Sequence, residues 1–314
     1  MSTLAATPLA ARDFSLDVPI ECDLGAECFI QQYVDHDPSH DAKDFRCSTL
    51  SYDTHQGTDF ALRSLDQMRR GVNVIAAAPG TVKGTRDGME DRLFNDEQSS
   101  QINGRECGNG VLIDHDDGWS TQYCHLKRGS VTVKTGDQVG PSTVLGQVGL
   151  SGRTQFPHVH MTVRKDGEVV DPFDPDGHIQ CGAPSTETLW QTPPSYRPGG
   201  VLDVGFSDRV PEFNDIKAGN AALPQMPLDA PAIVVFGYAF GSKSGDIMHL
   251  RIDGPDGTLI DEKVEIERNQ AQFFRALGKQ RTTVNWPGGE YTGTVILRRG
   301  QQEISRFQGK TIIR

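Results

Sequence analysis

Two histidines placed two positions apart are the strongest chemical signal in this sequence. His158 and His160 lie in the short apolar run 157–161, PHVHM. Side chains alternate between the two faces of an extended strand, so these imidazoles would share one face. Neutral imidazole nitrogen is a favoured zinc ligand, and such a face could form part of a metal site. A lone pair of this kind is a weak signal and needs further ligands elsewhere in the chain.

A second segment carries the ligand types that the pair lacks. His55 and Asp59 are separated by three residues that include Gly57. Imidazole nitrogen and carboxylate oxygen both bind zinc at about 2.0–2.2 Å. Together with His160 they would make three protein ligands and leave a fourth position for water, as catalytic zinc sites do. We therefore predict one Zn²⁺ per chain, bound by His55, Asp59 and His160.

Two further histidines could then move protons or stabilise charge. Zinc lowers the pKa of a bound water to about 7, and a neutral imidazole can accept the proton from that water. We assign this general-base role to His125 and a contact with the transition-state oxyanion to His158, although the two roles could be exchanged. A thiol dyad of Cys124 and His125 is an alternative. Adjacent strand residues point to opposite faces, which argues against it.

These residues stand in motifs that resemble those of a known enzyme family. Residues 55–60 (HQGTDF) resemble the His-x-Gly-x-Asp-hydrophobic motif of the lysostaphin/LytM-type zinc metalloendopeptidases. Residues 123–126 (YCHL) resemble its Tyr-x-His-Leu motif, and residues 157–160 (PHVH) its final His-x-His. The resemblance covers about residues 50–175. It implies zinc binding by His55, Asp59 and His160, catalytic assistance from His125 and His158, and peptide cross-links of bacterial peptidoglycan as substrate.

One position departs from the pattern of that family. Phe156 stands where its members usually carry a glycine, just ahead of the last motif. We expect the bulky ring to alter the loop beside the cleft and to affect specificity more than activity. Tyr52 precedes the first motif and Tyr123 begins the second; either could line the cleft or lie in the core, and we favour the core for both.

The elements that position these residues are predicted to be mainly β. The chain has 314 residues with 34 Gly and 18 Pro, and residues 110–114 and 120–126 flank a polar turn typical of a hairpin. We predict an antiparallel β-sheet peptidase domain with an open cleft, followed by a smaller C-terminal β-sandwich. The predicted boundaries are an N-terminal strap at 1–24, the LytM-like zinc peptidase domain at 25–180, a linker at 181–205 and the accessory β-sandwich at 206–314.

The six cysteines favour an oxidising compartment. None forms a Cys-x-x-Cys pair, so a four-cysteine zinc site is not expected. Cys107 and Cys124 fall at near-opposite hairpin positions, and we predict a disulfide between them. Cys22 and Cys28 are close enough to close a small loop. The first residues lack a basic region followed by an apolar core, so either an export signal has been removed or the chain is not exported. The cysteines favour the first alternative, and we expect a periplasmic or secreted location.

Net charge and hydropathy argue against two kinds of interaction, with nucleic acid and across a membrane. A formal net charge of −11 argues against nucleic acid, and no run of about 18 apolar residues predicts a transmembrane segment. We expect a peptidoglycan peptide as substrate and a possible wall or protein partner for the C-terminal domain. The alternatives are a non-catalytic wall-associated regulator and a zinc peptidase acting on proteins. The chain keeps every ligand, which argues against the regulator.

An acidic loop at residues 35–41 contains His36 and His40. A second metal site there is conceivable. Short polar side chains cluster in turns, so we predict a solvated loop with both histidines at the surface.

Overall fold

The computed structural model describes residues 14–95, 102–177 and 187–314. The elements are β1 (Cys28–Gln32), β2 (Thr58–Leu62), α1 (Leu65–Arg70), β3 (Asn73–Ile75), β4 (Gly80–Arg86), β5 (Asn109–Asp114), β6 (Trp119–Leu126), β7 (Gln138–Val139), β8 (Val144–Gln147), β9 (His158–Lys165), β10 (Glu168–Val169), β11 (Gly200–Ser207), α2 (Phe213–Ala218), β12 (Gln225–Met226), β13 (Ala232–Ser242), β14 (Asp246–Gly254), β15 (Gly257–Ile266), β16 (Gln270–Gln280), β17 (Gly289–Arg299) and β18 (Gln302–Ile313). None of the helices in these three ranges is long and apolar enough to cross a bilayer.

The first large sheet carries four of the five predicted site residues on its strands, and His55 lies in the loop before β2. The strand order of the sheet is β1-β2-β9-β6-β5-β4-β7, and β10 pairs with the C-terminal end of β9. All pairings in the sheet are antiparallel. Apolar residues alternate along the strands, so Phe60, Val159 and Met161 fill the core. The intervening positions face the other side of the sheet. The expected antiparallel β-sheet is confirmed.

The helix α1 follows β2 and is delimited by local signals. The Ser64 side chain accepts a hydrogen bond from the backbone N–H of Gln67 and caps the start of the helix. The chain leaves the helix at Gly71 with φ of 90°, a conformation that glycine tolerates without strain. The sequence alone predicts a helix over these same residues.

Disulfides secure two of the loops near this sheet. Cys107 and Cys124 are bonded across the β5–β6 hairpin, which confirms the predicted pair. Cys22 and Cys28 are bonded and close the short loop ahead of β1. Cys47 is also disulfide-bonded. No cysteine in the described ranges is free.

The C-terminal part forms a second β unit. A three-stranded sheet, β11-β13-β16, faces a five-stranded sheet, β12-β18-β17-β14-β15. One core fills the space between them, with Phe206 and Val235 from the first sheet and Leu250 and Val295 from the second. This is the expected sandwich. Its first strand begins at Gly200, upstream of the predicted boundary at residue 206.

The two units are packed against each other at β1. The buried side-chain amide of Gln31 donates to the carbonyl of Ala271 at 2.9 Å and accepts from Gln272 at 3.0 Å. Phe29 packs against Phe240 with ring centroids 4.5 Å apart. Because β1 pairs with β2, the C-terminal domain supports the strand that carries Asp59.

Candidate metal centre and catalytic histidines

Strand register brings the predicted ligands together. Asp59 on β2 lies directly opposite His160 on β9, and His160 in turn lies opposite Cys124 on β6. Gly57 leaves room for the imidazole, because a Cβ at that position would lie 2.6 Å from Nε2 of His160. The glycine of the first motif therefore has a steric role beside the site.

The three ligand atoms are spaced as zinc requires. Nε2 of His55 lies 3.2 Å from a carboxylate oxygen of Asp59 and 3.1 Å from Nδ1 of His160. Nδ1 of His160 lies 2.8 Å from the same oxygen. Ligands about 2.0 Å from a tetrahedral zinc stand about 3.3 Å apart, so this triangle fits the ion. In the described part of the chain, no other group of three such side chains converges in this way.

Neighbouring oxygens orient both imidazoles. Nδ1 of His55 donates to the carbonyl oxygen of Tyr33 at 2.6 Å, so the lone pair is left on Nε2, the atom that faces Asp59. Nε2 of His160 is 3.0 Å from the hydroxyl of Thr162, so Nδ1 faces the same point. Orientation by outer partners is typical of metal-binding histidines.

The electrostatics of the cluster favour a positive charge at its centre. Burial alone would raise the pKa of Asp59, but His55, His158 and His160 hold that pKa well below its ordinary value. Burial likewise opposes protonation of His55, and the Asp59 carboxylate nevertheless raises the pKa of that imidazole. An anionic carboxylate beside electron-pair donors is the donor set that Zn²⁺ prefers.

His125 and His158 lie together beside the ligand triangle. Their ring centroids are 4.7 Å apart, and the His125 ring is 6.0 Å from that of His160. His125 has φ of 63°, a left-handed conformation that is uncommon for a residue with a side chain. At the end of β6 the backbone of His125 therefore departs from extended geometry, and its side chain does not follow the regular alternation of a strand. Such outliers cluster at functional sites.

The environment keeps both of these imidazoles neutral. Burial and the positive charge of neighbouring histidines lower the pKa of His125 well below its ordinary value, and burial lowers the pKa of His158. Nδ1 of His125 donates to the Ser151 carbonyl at 2.7 Å, which leaves a lone pair on Nε2. Nδ1 of His158 is 2.9 Å from the Phe156 carbonyl and 3.1 Å from the Thr154 hydroxyl.

The structure thus brings all five predicted site residues into one cluster. It excludes Cys124 as a nucleophile, because its sulfur is bonded to Cys107. Tyr123 is fully buried, as predicted.

The prediction for Tyr52 is wrong. The residue is 49% exposed, and its ring is tilted by 33° against that of His55 with the centroids 4.3 Å apart, which is the cleft-lining alternative. A tyrosine three positions before a ligand histidine, at a turn, was the available signal. Phe156 also belongs to the site, because its ring stacks on His158 with centroids 4.4 Å apart.

One family model matches the part of the chain that contains this cluster. Residues 53–172 match the model of Peptidase family M23. Over 121 residues the chain is 32% identical to the cell division protein DipM of Caulobacter vibrioides, covering 38% of this chain and 18% of that protein. It is also 32% identical over 120 residues to the DD-carboxypeptidase/endopeptidase Mpg of Neisseria meningitidis, covering 38% of this chain and 22% of that protein. The chain therefore spans less than a quarter of either relative.

Solved structures were compared as well. The catalytic domain of the prophage-encoded M23 protein EnpA from Enterococcus faecalis is 23% identical, with a TM-score of 0.30. The match covers 52% of this chain and 90% of that domain.

Proposed function

We propose that the protein, whose residues 53–172 match the model of Peptidase family M23, is a zinc-dependent endopeptidase that hydrolyses peptide cross-links of bacterial peptidoglycan. The observation that carries the proposal is the convergence of His55, Asp59 and His160 on one point, with two neutral imidazoles alongside. A closed structural zinc site would use a fourth protein ligand, whereas this triangle leaves one position open.

Bound zinc and His125 would have different roles in the hydrolysis. Bound zinc supplies Lewis acidity to the scissile carbonyl and to the attacking water. His125 is the general base, because the Ser151 carbonyl holds its proton on Nδ1 and leaves Nε2 to accept the proton of water. The same proton can then pass to the leaving amine.

His158 stabilises the negative charge that develops on the carbonyl oxygen. Its Nε2 lies 3.5 Å from Asp59, on the ligand side of the cluster. Nδ1 of His158 donates to the Phe156 carbonyl at 2.9 Å, and the Thr154 hydroxyl donates to the same carbonyl at 2.7 Å, so the neutral ring has its lone pair on Nε2. This nitrogen therefore donates to the oxyanion once the ring has taken up a proton. The stacked Phe156 ring restrains the orientation of this imidazole.

The cellular setting of this proposal follows from the cysteines. All cysteines in the described ranges are disulfide-bonded, which is typical of proteins in an oxidising compartment. We therefore propose a periplasmic or secreted enzyme. A wall component or protein that binds the C-terminal sandwich stays a prediction.

The direct test is digestion of purified sacculi. Wild-type protein should reduce cross-linked muropeptides, a chelator should abolish the change, and added Zn²⁺ should restore it. Zinc-loaded His125→Ala protein serves as the inactive control. If zinc-loaded wild-type protein leaves the muropeptides unchanged, peptidoglycan is not the substrate. Cleavage of a denatured protein in the same samples would then favour a protein substrate, and no cleavage of either would favour a regulator.

A further inference from the structure

An acidic groove on the surface of the first domain includes His55, one of the proposed metal ligands, in its wall. It has a volume of about 740 Å³. Within the described residues, its lining includes no lysine or arginine. Six aspartates line it: Asp35, Asp37, Asp53, Asp171, Asp174 and Asp176. The groove therefore presents strong negative charge beside a metal ligand.

Some of these carboxylates already have structural partners. Asp35 accepts the backbone N–H of Thr54 at 3.0 Å and so anchors the loop ahead of His55. Asp37 pairs with Lys43 at 2.7 Å. These two side chains shape the groove, and their charge is largely compensated.

A third carboxylate is neutralised by a histidine that we predicted to be at the surface. His36 is only 10% exposed at its side chain, and its Nε2 lies 2.8 Å from Asp171. The other oxygen of Asp171 accepts the backbone N–H of Phe173 at 2.8 Å. The prediction of a surface position for His36 is therefore wrong, because a distant segment folds over the loop and supplies its partner.

Asp174 differs from these neighbours. The residue is 3% exposed, no described donor forms a hydrogen bond to either carboxylate oxygen, and the group that its side chain meets is the carboxyl of Asp176. Burying a carboxylate without donors costs free energy, so buried polar atoms almost always have partners. A buried carboxylate that meets a second carboxyl in the wall of an open groove is therefore a position for a cationic ligand.

The chemistry of the cation follows from the spacing of the acids. A metal ion needs several ligand atoms that converge, and in the described part of the chain only His55, Asp59 and His160 do so. A primary ammonium has three donors and can be held by one buried carboxylate with further acceptors around it. We infer that this groove binds a primary ammonium group of the substrate peptide close to the scissile bond, with Asp174 as its counter-ion. This inference rests on the proposed peptidase function.

A pair of matched peptides tests it. One carries a free primary ammonium within two residues of the scissile bond, and the other has that amine acetylated. Separate versions place the amine on a diamino-acid side chain or at the peptide N-terminus, which distinguishes the two sources. The wild type should prefer the ammonium peptide by roughly ten- to one-hundredfold in kcat/KM, the range expected for a charged hydrogen bond. Equal kcat/KM for all pairs would overturn the inference.

Variants assign the preference to the groove. Asp174→Asn should lower the preference ratio toward one while keeping stoichiometric zinc. Asp256→Asn, an exposed aspartate in the turn between β14 and β15, is the matched control and should keep the wild-type ratio. Asp176→Asn, at the exposed rim of the groove, provides a second test if Asp174→Asn does not fold. An unchanged ratio in the folded variant would refute the role of the carboxylate.

Binding separates this inference from the proposed function. Zinc-loaded His125→Ala protein should bind the ammonium peptide more tightly than the acetylated one in calorimetry, whether or not the wild type cleaves either. Selective binding without wild-type cleavage would support the groove and contradict the peptidase. Equal dissociation constants for the two peptides would contradict ammonium binding by the groove. Ca²⁺ binding that is lost in Asp174→Asn, without any preference for the ammonium peptide, would also contradict it.

Discussion

Asp59 and His160 stand directly opposite each other on adjacent strands, and the carboxylate lies 2.8 Å from Nδ1 of the imidazole. Directly opposed residues of an antiparallel pair point to the same face of the sheet. Two of the three ligand side chains are therefore fixed by a hydrogen-bonded ladder between central strands. His55 joins them from the loop before β2, where the carbonyl of Tyr33 orients its ring. The site is held by the rigid part of the domain.

Removal of one ligand should empty the site. We expect His160→Ala to lose most of its zinc on purification, because the two remaining protein ligands cannot complete a stable tetrahedral set. Metal content per chain is the measurement. His249→Ala, in the C-terminal sheet, is the control and should retain one zinc. Stoichiometric metal in the His160 variant would show that another residue is the ligand.

Removal of the proposed base should separate binding from turnover. His125→Ala should keep one zinc per chain and lower kcat by about 10²–10⁴, the range for general acid–base catalysis. His249→Ala again provides the comparison. If kcat stays near the wild-type value, the base is another group, and His158 is the next candidate.

A methyl group at Gly57 should disturb the metal site by a steric clash with His160. In Gly57→Ala, the new Cβ would lie 2.6 Å from Nε2 of His160 and 2.7 Å from the carbonyl oxygen of Met161. We expect weaker zinc binding and a loss of about 1–3 kcal/mol in unfolding free energy. Gly84→Ala is the matched control, because a Cβ there has no heavy atom within 4 Å. Equal zinc affinity in the two variants would contradict the steric argument.

Asp174 should reduce the stability of the fold at neutral pH. Burial, reinforced by the Asp176 and Asp171 carboxylates and opposed by His36, raises the pKa of Asp174 to about 6. An unfolded aspartate titrates near 3.9, so the penalty is absent below about pH 4, grows as the pH rises, and is complete above about pH 6. Asp174→Asn should therefore raise the unfolding free energy at pH 7 by about 1–3 kcal/mol.

The pH dependence of that gain is the decisive measurement. Denaturant unfolding at pH 7 and pH 5 should show a smaller difference between variant and wild type at the lower pH, where the carboxyl is already protonated. Asp256→Asn should show no gain at either pH. A gain of the same size at both would mean that the charge of Asp174 is not its source.

Much of the site could be predicted from the sequence because its information is local. Alternation within a strand places His158 and His160 on one face, and turn residues delimit the β5–β6 hairpin that carries His125. The predicted Cys107–Cys124 disulfide follows from the same hairpin register. These features depend on residues that are close in sequence. Local backbone geometry therefore determines them, regardless of where the segment lies in the fold.

Only the tertiary structure decided how separate segments meet. The sequence by itself determined which side chains could bind zinc, since residue type and motif spacing belong to the chain. It did not reveal the left-handed backbone at His125, the exposure of Tyr52 or the burial of His36 against Asp171. Each of these depends on contacts between residues distant in sequence. The acidic groove around Asp174 arises in the same way, because two loops that are more than a hundred residues apart form its walls.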